Sequence, residues 1–350
     1  MIAALFSGPL DIVGDVHGEF HALQELLSQL GYSLYGEHPQ GRRLIFVGDL
    51  CDRGPHSPQV IRFVQELVSR DLAQCVLGNH ELNLLCQSPK EGNGWYFDDN
   101  HDHHEGKFQD AAPLGDATER DAVREFLAAL PLGLERDDLR IVHAAWHGSS
   151  IDVARGARQP TAELYHQLDA QTRTKAQVTG LTERSDAEAL QWAPRLKNPE
   201  AAVPLLENIG RMDEALQMNN FLRVITSGVE RLAQAPFYSS GKWRMVDRVA
   251  WWDEYRDDVP VIVGHYWRWP SRALQQKYSR GERDLFTGAE PNAWVGARQN
   301  VFCTDFSIGA RFKERAQGIS QFETRLAAVR WPERELIYEN GVRLAIATRQ

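Results

Sequence analysis

Four short stretches of the sequence share one arrangement. Ile12-Val13-Gly14-Asp15, Phe46-Val47-Gly48-Asp49, Val76-Leu77-Gly78-Asn79 and Ile262-Val263-Gly264-His265 each run apolar, apolar, Gly and then a side chain able to bind a metal. His17 follows just beyond Asp15, and His143 closes the apolar run that begins at Leu139. Carboxylates, imidazoles and an amide oxygen, with no thiolate among them, suit borderline or hard divalent ions: manganese first, with iron, zinc or nickel as alternatives. Such a donor set exceeds what one tetrahedral ion needs. Two ions about 3.5 to 4 Å apart, sharing a carboxylate, would use it in full.

Each donor needs an element to carry it. Short β-branched runs at 11–13, 44–47, 74–77 and 139–142 alternate with stretches of helical period at 19–30 and 57–72. That alternation predicts βαβ units and largely parallel pairing. In open α/β sheets, sites form in the crevice beyond the carboxyl ends of the strands, where a glycine lets the backbone turn at little steric cost. Strand patterns return at 259–263, 301–304, 325–331 and 335–338. Between them, the runs 161–172 and 187–192 are polar and helix-permissive, with few strand-like stretches around them. The expected organisation is an α/β core in two pieces, 1–150 and 252–350, interrupted by a mainly helical insertion at 151–251.

Composition narrows the classes further. With 43% hydrophobic and 25% charged residues, the 350-residue chain reads as a soluble globular protein. Its apolar runs fall short of the ~18 residues that span a bilayer, which argues against a membrane partner. The first residues lack the basic start of a secretory signal, and Cys51, Cys75, Cys86 and Cys303 show no Cys-x-x-Cys spacing. A reducing cytoplasm is the expected compartment. A formal charge of -9 argues against non-specific nucleic-acid binding. An anionic substrate would then need positive charge supplied locally, by metals or arginines.

Gly14-Asp15-Val16-His17-Gly18, Gly48-Asp49-Leu50-Cys51-Asp52-Arg53-Gly54 and Gly78-Asn79-His80-Glu81 resemble the three signatures of the phosphoprotein phosphatase family, within the calcineurin-like metallophosphoesterases. His143 and Gly264-His265 resemble its two later single-histidine motifs. The resemblance implies an α/β core of two packed mixed β-sheets flanked by helices. It implies that Asp15 and His17 hold one divalent ion, that Asp49 bridges, and that Asn79, His143 and His265 hold the other. It also implies His80 as the leaving-group acid, oriented by Asp52, with Arg53 on the phosphate. The chemistry agrees, because two metals lower the pKa of a bridging water and neutralise phosphoryl oxygens, while Arg53 offers a planar fork. A histidine kept cationic by a carboxylate supplies general acid catalysis worth about 10² to 10⁴-fold. The implied activity is hydrolysis of phosphomonoesters by a metal-bridging hydroxide, in a phosphorylated protein or a small molecule.

Departures leave alternatives open. Many family members place two glycines after the first late histidine, whereas this chain reads His143-Ala144-Ala145-Trp146-His147, so His147 is a rival ligand. The family's second phosphate-binding arginine has three candidates here: Arg223, Arg231 and Arg244. Bacterial diadenosine tetraphosphate hydrolases resemble the chain in scale but typically carry alanine where Asp52 stands, so Asp52 leans toward phosphomonoesters. A nucleotide hydrolase remains the alternative activity, and a catalytically silent binding module the alternative class. Glu81 is read either as a partner orienting a ligand or as a solvated helix-start carboxylate. Trp243, Trp251, Trp252, Trp267 and Trp269 crowd around Gly264-His265 and are read first as anchors of the insertion, with base stacking as the rival use. His101, His103 and His104 read as a solvated loop.

Overall fold

A computed structural model describes residues 1–97, 108, 112–239, 241–278 and 284–347. The patch carrying His101, His103 and His104 lies outside them. Two sheets form the core. One has five strands in the order β1 (Ile2–Ala4), β5 (Gly133–Arg136), β6 (Leu139–Val142), β9 (Val261–Val263) and β10 (Val301–Cys303). The other has six, in the order β13 (Arg343–Ala345), β12 (Glu335–Tyr338), β11 (Ala327–Trp331), β2 (Leu10–Val13), β3 (Arg43–Phe46) and β4 (Ala73–Cys75). Pairing is parallel across β2, β3 and β4 and across β6, β9 and β10. It is antiparallel between β5 and β6 and along the edge from β2 through β11 and β12 to β13, so both sheets are mixed.

Strand periodicity explains how the sheets pack. Leu10, Ile12, Ile45, Leu139, Ile141, Ile262, Phe302, Ala327 and Val329 share one apolar layer between the sheets. Their neighbours Val13, Leu44, Phe46, Val142, Val261, Val263, Val301 and Ala328 point the other way, into a second layer under the helices. Strands buried on both faces read as continuous apolar runs, which is why 44–47 and 261–263 show no alternation. α1 (Phe20–Leu30) and α2 (Ser57–Ser69) cover the outer face with Leu23, Leu26, Leu27, Val60, Ile61 and Val64.

The stretch 151–251 holds helices, but it also holds a hairpin that the sequence reading missed. α3 (Asn79–Leu85) and α4 (Ala117–Ala129) precede it in the core, and α5 (Gly148–Gly156), α6 (Thr161–Val178), α7 (Leu181–Leu196), α8 (Glu207–Met218) and α9 (Phe221–Ser227) follow. β7 (Glu230–Ser239) then pairs antiparallel with β8 (Lys242–Arg248) as a separate two-stranded sheet. Pro236 and a register shift between Leu232 and Phe237 disguise this strand pattern, since a proline cannot donate to the ladder. α9 sends Leu222, Val224 and Ile225 into the layer under the helices, and Ala144 and Ala145 donate their amides to the Ile225 carbonyl. The insertion is thereby tied to the segment that follows His143. Trp251 and Trp252 are buried in the same layer, and Trp251 Nε1 donates to the Ala144 carbonyl at 3.0 Å.

β2 carries Asp15 and is braced by an unexpected buried charge. Asp11, fully buried, accepts from Arg42 Nε at 2.9 Å, Arg330 Nε at 3.0 Å and the Tyr32 hydroxyl at 2.9 Å. Removing one member of such a network strands the others in a dry environment. Asp11→Ala is expected to cost about 3 to 5 kcal/mol in urea unfolding, whereas Arg211→Ala, which removes an exposed pair with Glu207, should cost at most ~1 kcal/mol.

Candidate active site

Every predicted donor lies at or just beyond the carboxyl end of a strand: Asp15 and His17 after β2, Asp49 after β3, Asn79 at the start of α3 after β4, His143 after β6 and His265 after β9. The packed sheets bring these ends to one place. Ligand atoms of His17, Asp49 and His80 lie within 4.8 Å of one another, as do those of Asp49, His143 and His265. Asp49 belongs to both groups, the position of a bridging carboxylate. Asn79 Oδ1 lies 3.2 Å from His143 Nε2 and 2.8 Å from His265 Nδ1. Asp15 Oδ2 lies 3.9 Å from His17 Nε2 and accepts from the His265 amide at 3.1 Å.

The backbone is bent to make this possible. Of the eleven non-glycine residues with positive φ among the described residues, six are His17, Asp49, Asp52, Arg53, His265 and Trp267. Left-handed backbone is costly for such residues, and it concentrates where surrounding contacts over-determine the loop. The glycines before the donors serve two ends. Gly48 turns left-handed at φ 94°, as expected, whereas Gly264 makes room: a Cβ there would sit 2.0 Å from Asp15 Oδ1.

Hydrogen bonds from behind set the imidazoles. His17 Nδ1 donates to the Cys51 carbonyl at 3.0 Å and His143 Nδ1 to the Val47 carbonyl at 2.7 Å, so each turns Nε2 inward. His265 Nε2 is buried with no hydrogen-bond partner among the described residues. Glu81 has none of the solvated character one reading allowed. It is fully buried and accepts from the amides of Asp49 and Leu50, both at 2.8 Å, from the Gly78 amide at 3.1 Å and from Cys51 Sγ at 3.2 Å. It clamps the loop that carries Asp49. Burial pushes the Cys51 thiol well above its usual range, which removes it as a reactive group.

The electrostatics follow from crowding. Burial alone would raise Asp49, but His143 and His80 outweigh it and hold the carboxyl well below its usual range. Burial likewise opposes the His143 cation, yet Asp49 pushes that histidine up to about 10. Burial and the nearby Asp305 push Asp15 up. Burial and the Arg53 charge push His17 down, and burial with Arg248 does the same to His265. Inward-facing ring nitrogens, an orphaned His265 Nε2 and several buried carboxylates form a donor set that fits divalent cations.

Beside this set lies the proposed acid. His80 Nδ1 meets Asp52 Oδ2 at 2.6 Å, and the buried Trp95 donates from Nε1 to Asp52 Oδ1, also at 2.6 Å. Burial works against the cation, but Asp49 and the hydrogen bond His80 donates to Asp52 outweigh it and raise His80 above the ordinary imidazole value. Arg53 places Nη2 3.2 Å from His80 Nε2 and Nη1 3.4 Å from His17 Nε2, with its guanidinium 4.8 Å from the Trp267 ring centroid.

Sequence reasoning missed Trp95 and Asp305. Trp95 sits in an irregular stretch far along the chain from Asp52, with no local pattern to mark it. Asp305 follows β10 as other donors follow their strands, without the glycine that drew notice elsewhere, and it anchors the amides of Trp267 and Ser307, both at 2.8 Å. His147 stands apart as the N-cap of α5, its Nδ1 2.9 Å from Ser150 Oγ. Of the three candidate arginines, Arg223 is held by Asp169 at 2.6 Å and Arg231 pairs with Glu254 on the surface. Arg244 lines a cleft of about 460 Å³ that Arg223 lines as well, together with Arg53 and Arg248. Arg248 was not considered from sequence.

Residues 8–178 match the family model described as calcineurin-like phosphoesterase, and the chain carries a calcineurin-like metallophosphoesterase domain. It is 53% identical over 73 residues to an asymmetrical bis(5'-nucleosyl)-tetraphosphatase PrpE of Halalkalibacterium halodurans, covering 20% of this chain and 30% of that protein. A namesake in Oceanobacillus iheyensis is 47% identical over 74 residues, with the same coverage. The chain thus spans under a third of the length of these relatives. A cold-active protein-tyrosine phosphatase from a psychrophilic Shewanella species aligns with 99% of this chain and 82% of its own, at 13% identity and a TM-score of 0.49. No helix among the described residues is long and apolar enough to cross a membrane.

The Glu81 clamp gives a direct test. Glu81→Gln turns one acceptor into an N–H donor facing backbone N–H groups, so Mn²⁺ affinity measured by titration calorimetry is expected to fall by roughly 10- to 100-fold while circular dichroism stays unchanged.

Proposed function

We propose that this chain is a phosphomonoesterase of the phosphoprotein phosphatase type, working in the cytoplasm with a pair of divalent ions, manganese first among them. Asp15 and His17 would hold one ion, Asn79, His143 and His265 the other, and Asp49 both. When bound, the pair supplies acidification of a water and neutralisation of phosphoryl oxygens. The substrate is a phosphorylated protein or a small phosphorylated molecule, and no membrane or nucleic acid takes part.

The observation that carries this reading is Asp52 fixed between Trp95 Nε1 and His80 Nδ1, each at 2.6 Å. A carboxylate held this way keeps His80 protonated at Nδ1 and favours its cationic form, which can give a proton from Nε2 to a departing alkoxide. Arg53 now faces that nitrogen. Phosphate oxygens are stronger acceptors for a guanidinium than a ring nitrogen, so an arriving phosphate draws Arg53 to itself and leaves Nε2 free to hold its proton.

A second reading, hydrolysis of nucleoside polyphosphates, is favoured by the names of the relatives and by Trp267, an aromatic face beside Arg53 on which a base could stack. Product analysis separates the two. Free phosphate released from phosphopeptides and aryl phosphates supports the first, and diadenosine tetraphosphate cut to nucleotides with phosphopeptides untouched supports the second.

His80→Asn tests the acid. Turnover of alkyl phosphates is expected to fall about 10² to 10⁴-fold, and that of p-nitrophenyl phosphate much less, because its leaving group needs little protonation. Equal losses on the two substrates would remove His80 from that role.

A further inference from the structure

The cleft that receives Arg53 extends well past the donors. Its far wall is the hairpin, and period-2 alternation turns Lys242, Arg244, Val246 and Arg248 of β8 toward it. Met245 and Trp243 point away and pack with Val203 and Leu206 in a small apolar cluster on the other side, while Asp247 also reaches the cleft. Arg248 stands nearest the donors, where its charge acts on His265 and Tyr266. Lys242 lies near the hairpin tip, about 20 Å away along an extended strand at roughly 3.3 Å per residue.

The charge of this wall runs against that of the molecule. The chain carries -9 overall, yet six cationic and four acidic side chains line the cleft among the described residues. Two of those acids, Asp213 and Glu230, are half-buried, and burial raises their carboxyls against the pull of Lys242, Arg244 and Arg248. A cationic strip inside an acidic protein concentrates anions and guides them inward.

Length and spacing select among anions. A compact anion would engage one or two of these side chains, whereas a strip of about 20 Å with cations at three of its four alternate positions matches an extended peptide, whose own side chains repeat on one face every ~7 Å. We propose that β8 docks an acidic peptide segment flanking the phosphorylated residue, with the ester at Arg53 and the acidic side chains along Arg248, Arg244 and Lys242. This rests on the phosphomonoesterase reading and adds to it the class of substrate: phosphoproteins whose modified residue is followed or preceded by Asp and Glu. Trp267, exposed in part beside Arg53, and Phe237 of β7 supply apolar contact between the charged positions.

The experiment compares wild type with a Lys242→Gln variant, at the outer end of the hairpin and about 20 Å along the strand from Arg248. Substrates are three phosphopeptides of one length with acidic, neutral or basic flanks, plus p-nitrophenyl phosphate and diadenosine tetraphosphate. Wild type is expected to prefer the acidic peptide over the neutral one by about five- to tenfold in kcat/KM at low salt, and to lose the preference as salt rises. The Lys242→Gln variant should lose much of it through KM, with p-nitrophenyl phosphate turnover and thermal melting unchanged. Equal treatment of the three peptides by wild type overturns the proposal, as does a variant that loses p-nitrophenyl phosphate turnover equally or loses only diadenosine tetraphosphate turnover. Anisotropy of a labelled acidic peptide lacking phosphate gives a reading independent of catalysis. If wild type hydrolyses none of the five, the phosphomonoesterase reading falls, and the strip stands only if this peptide binds wild type more tightly than the variant.

Discussion

Five carboxylates, those of Asp15, Asp49, Asp52, Glu81 and Asp305, are each no more than 3% exposed around one crevice. Burying charge at this density is costly unless every oxygen meets a donor or a cation. The arrangement of the centre follows from that requirement. Asp52 is satisfied by His80 and Trp95, Glu81 by three amides and a thiol, and Asp305 by the amides of Trp267 and Ser307. Asp15 and Asp49 are left facing imidazoles. A divalent pair would complete this balance, since it brings four positive charges to a place where the protein alone offers histidines and one arginine.

The same requirement explains why the loops are strained. A donor can enter the crevice only if the chain reverses within a residue or two of the strand end, and six of the residues that do so adopt left-handed backbone without being glycine. Their conformations are held by contacts from elsewhere. Glu81 fixes the Asp49 loop, and Asp305 fixes the loop bearing Trp267, which in turn sets one wall beside Arg53. The geometry of the donor set therefore depends on side chains outside it.

Around this rigid centre the insertion adds surface. Its last helix is embedded in the core, while its hairpin stands at the mouth of the cleft and presents cations to it. On the proposed reading, donors near Asp49 would serve a phosphoryl group and the hairpin the molecule that carries it.

Much of the core was legible in the chain. The runs at 11–13, 44–47, 139–142 and 335–338 could be read as strands from their short, largely apolar stretches, and Asp15, Asp49, Asn79 and His265 could be read as donors because a glycine ends the apolar run before each. Other features left no local mark. β1 and β13 are three-residue edge strands whose exposed side chains carry no period, and β7 is disguised by Pro236. Trp95 and Asp305 act on residues far away in the chain, so nothing beside them announces their role. Glu81 stood in plain view, but its burial depends on how β3, β4 and α3 meet. Residue type and short-range spacing thus determined which groups could bind ions and which element carries each. Only the packing of two sheets could decide that those groups converge, which hydrogen bonds orient them and which cations of the insertion face the same cleft, because those relations join parts of the chain that no local pattern connects.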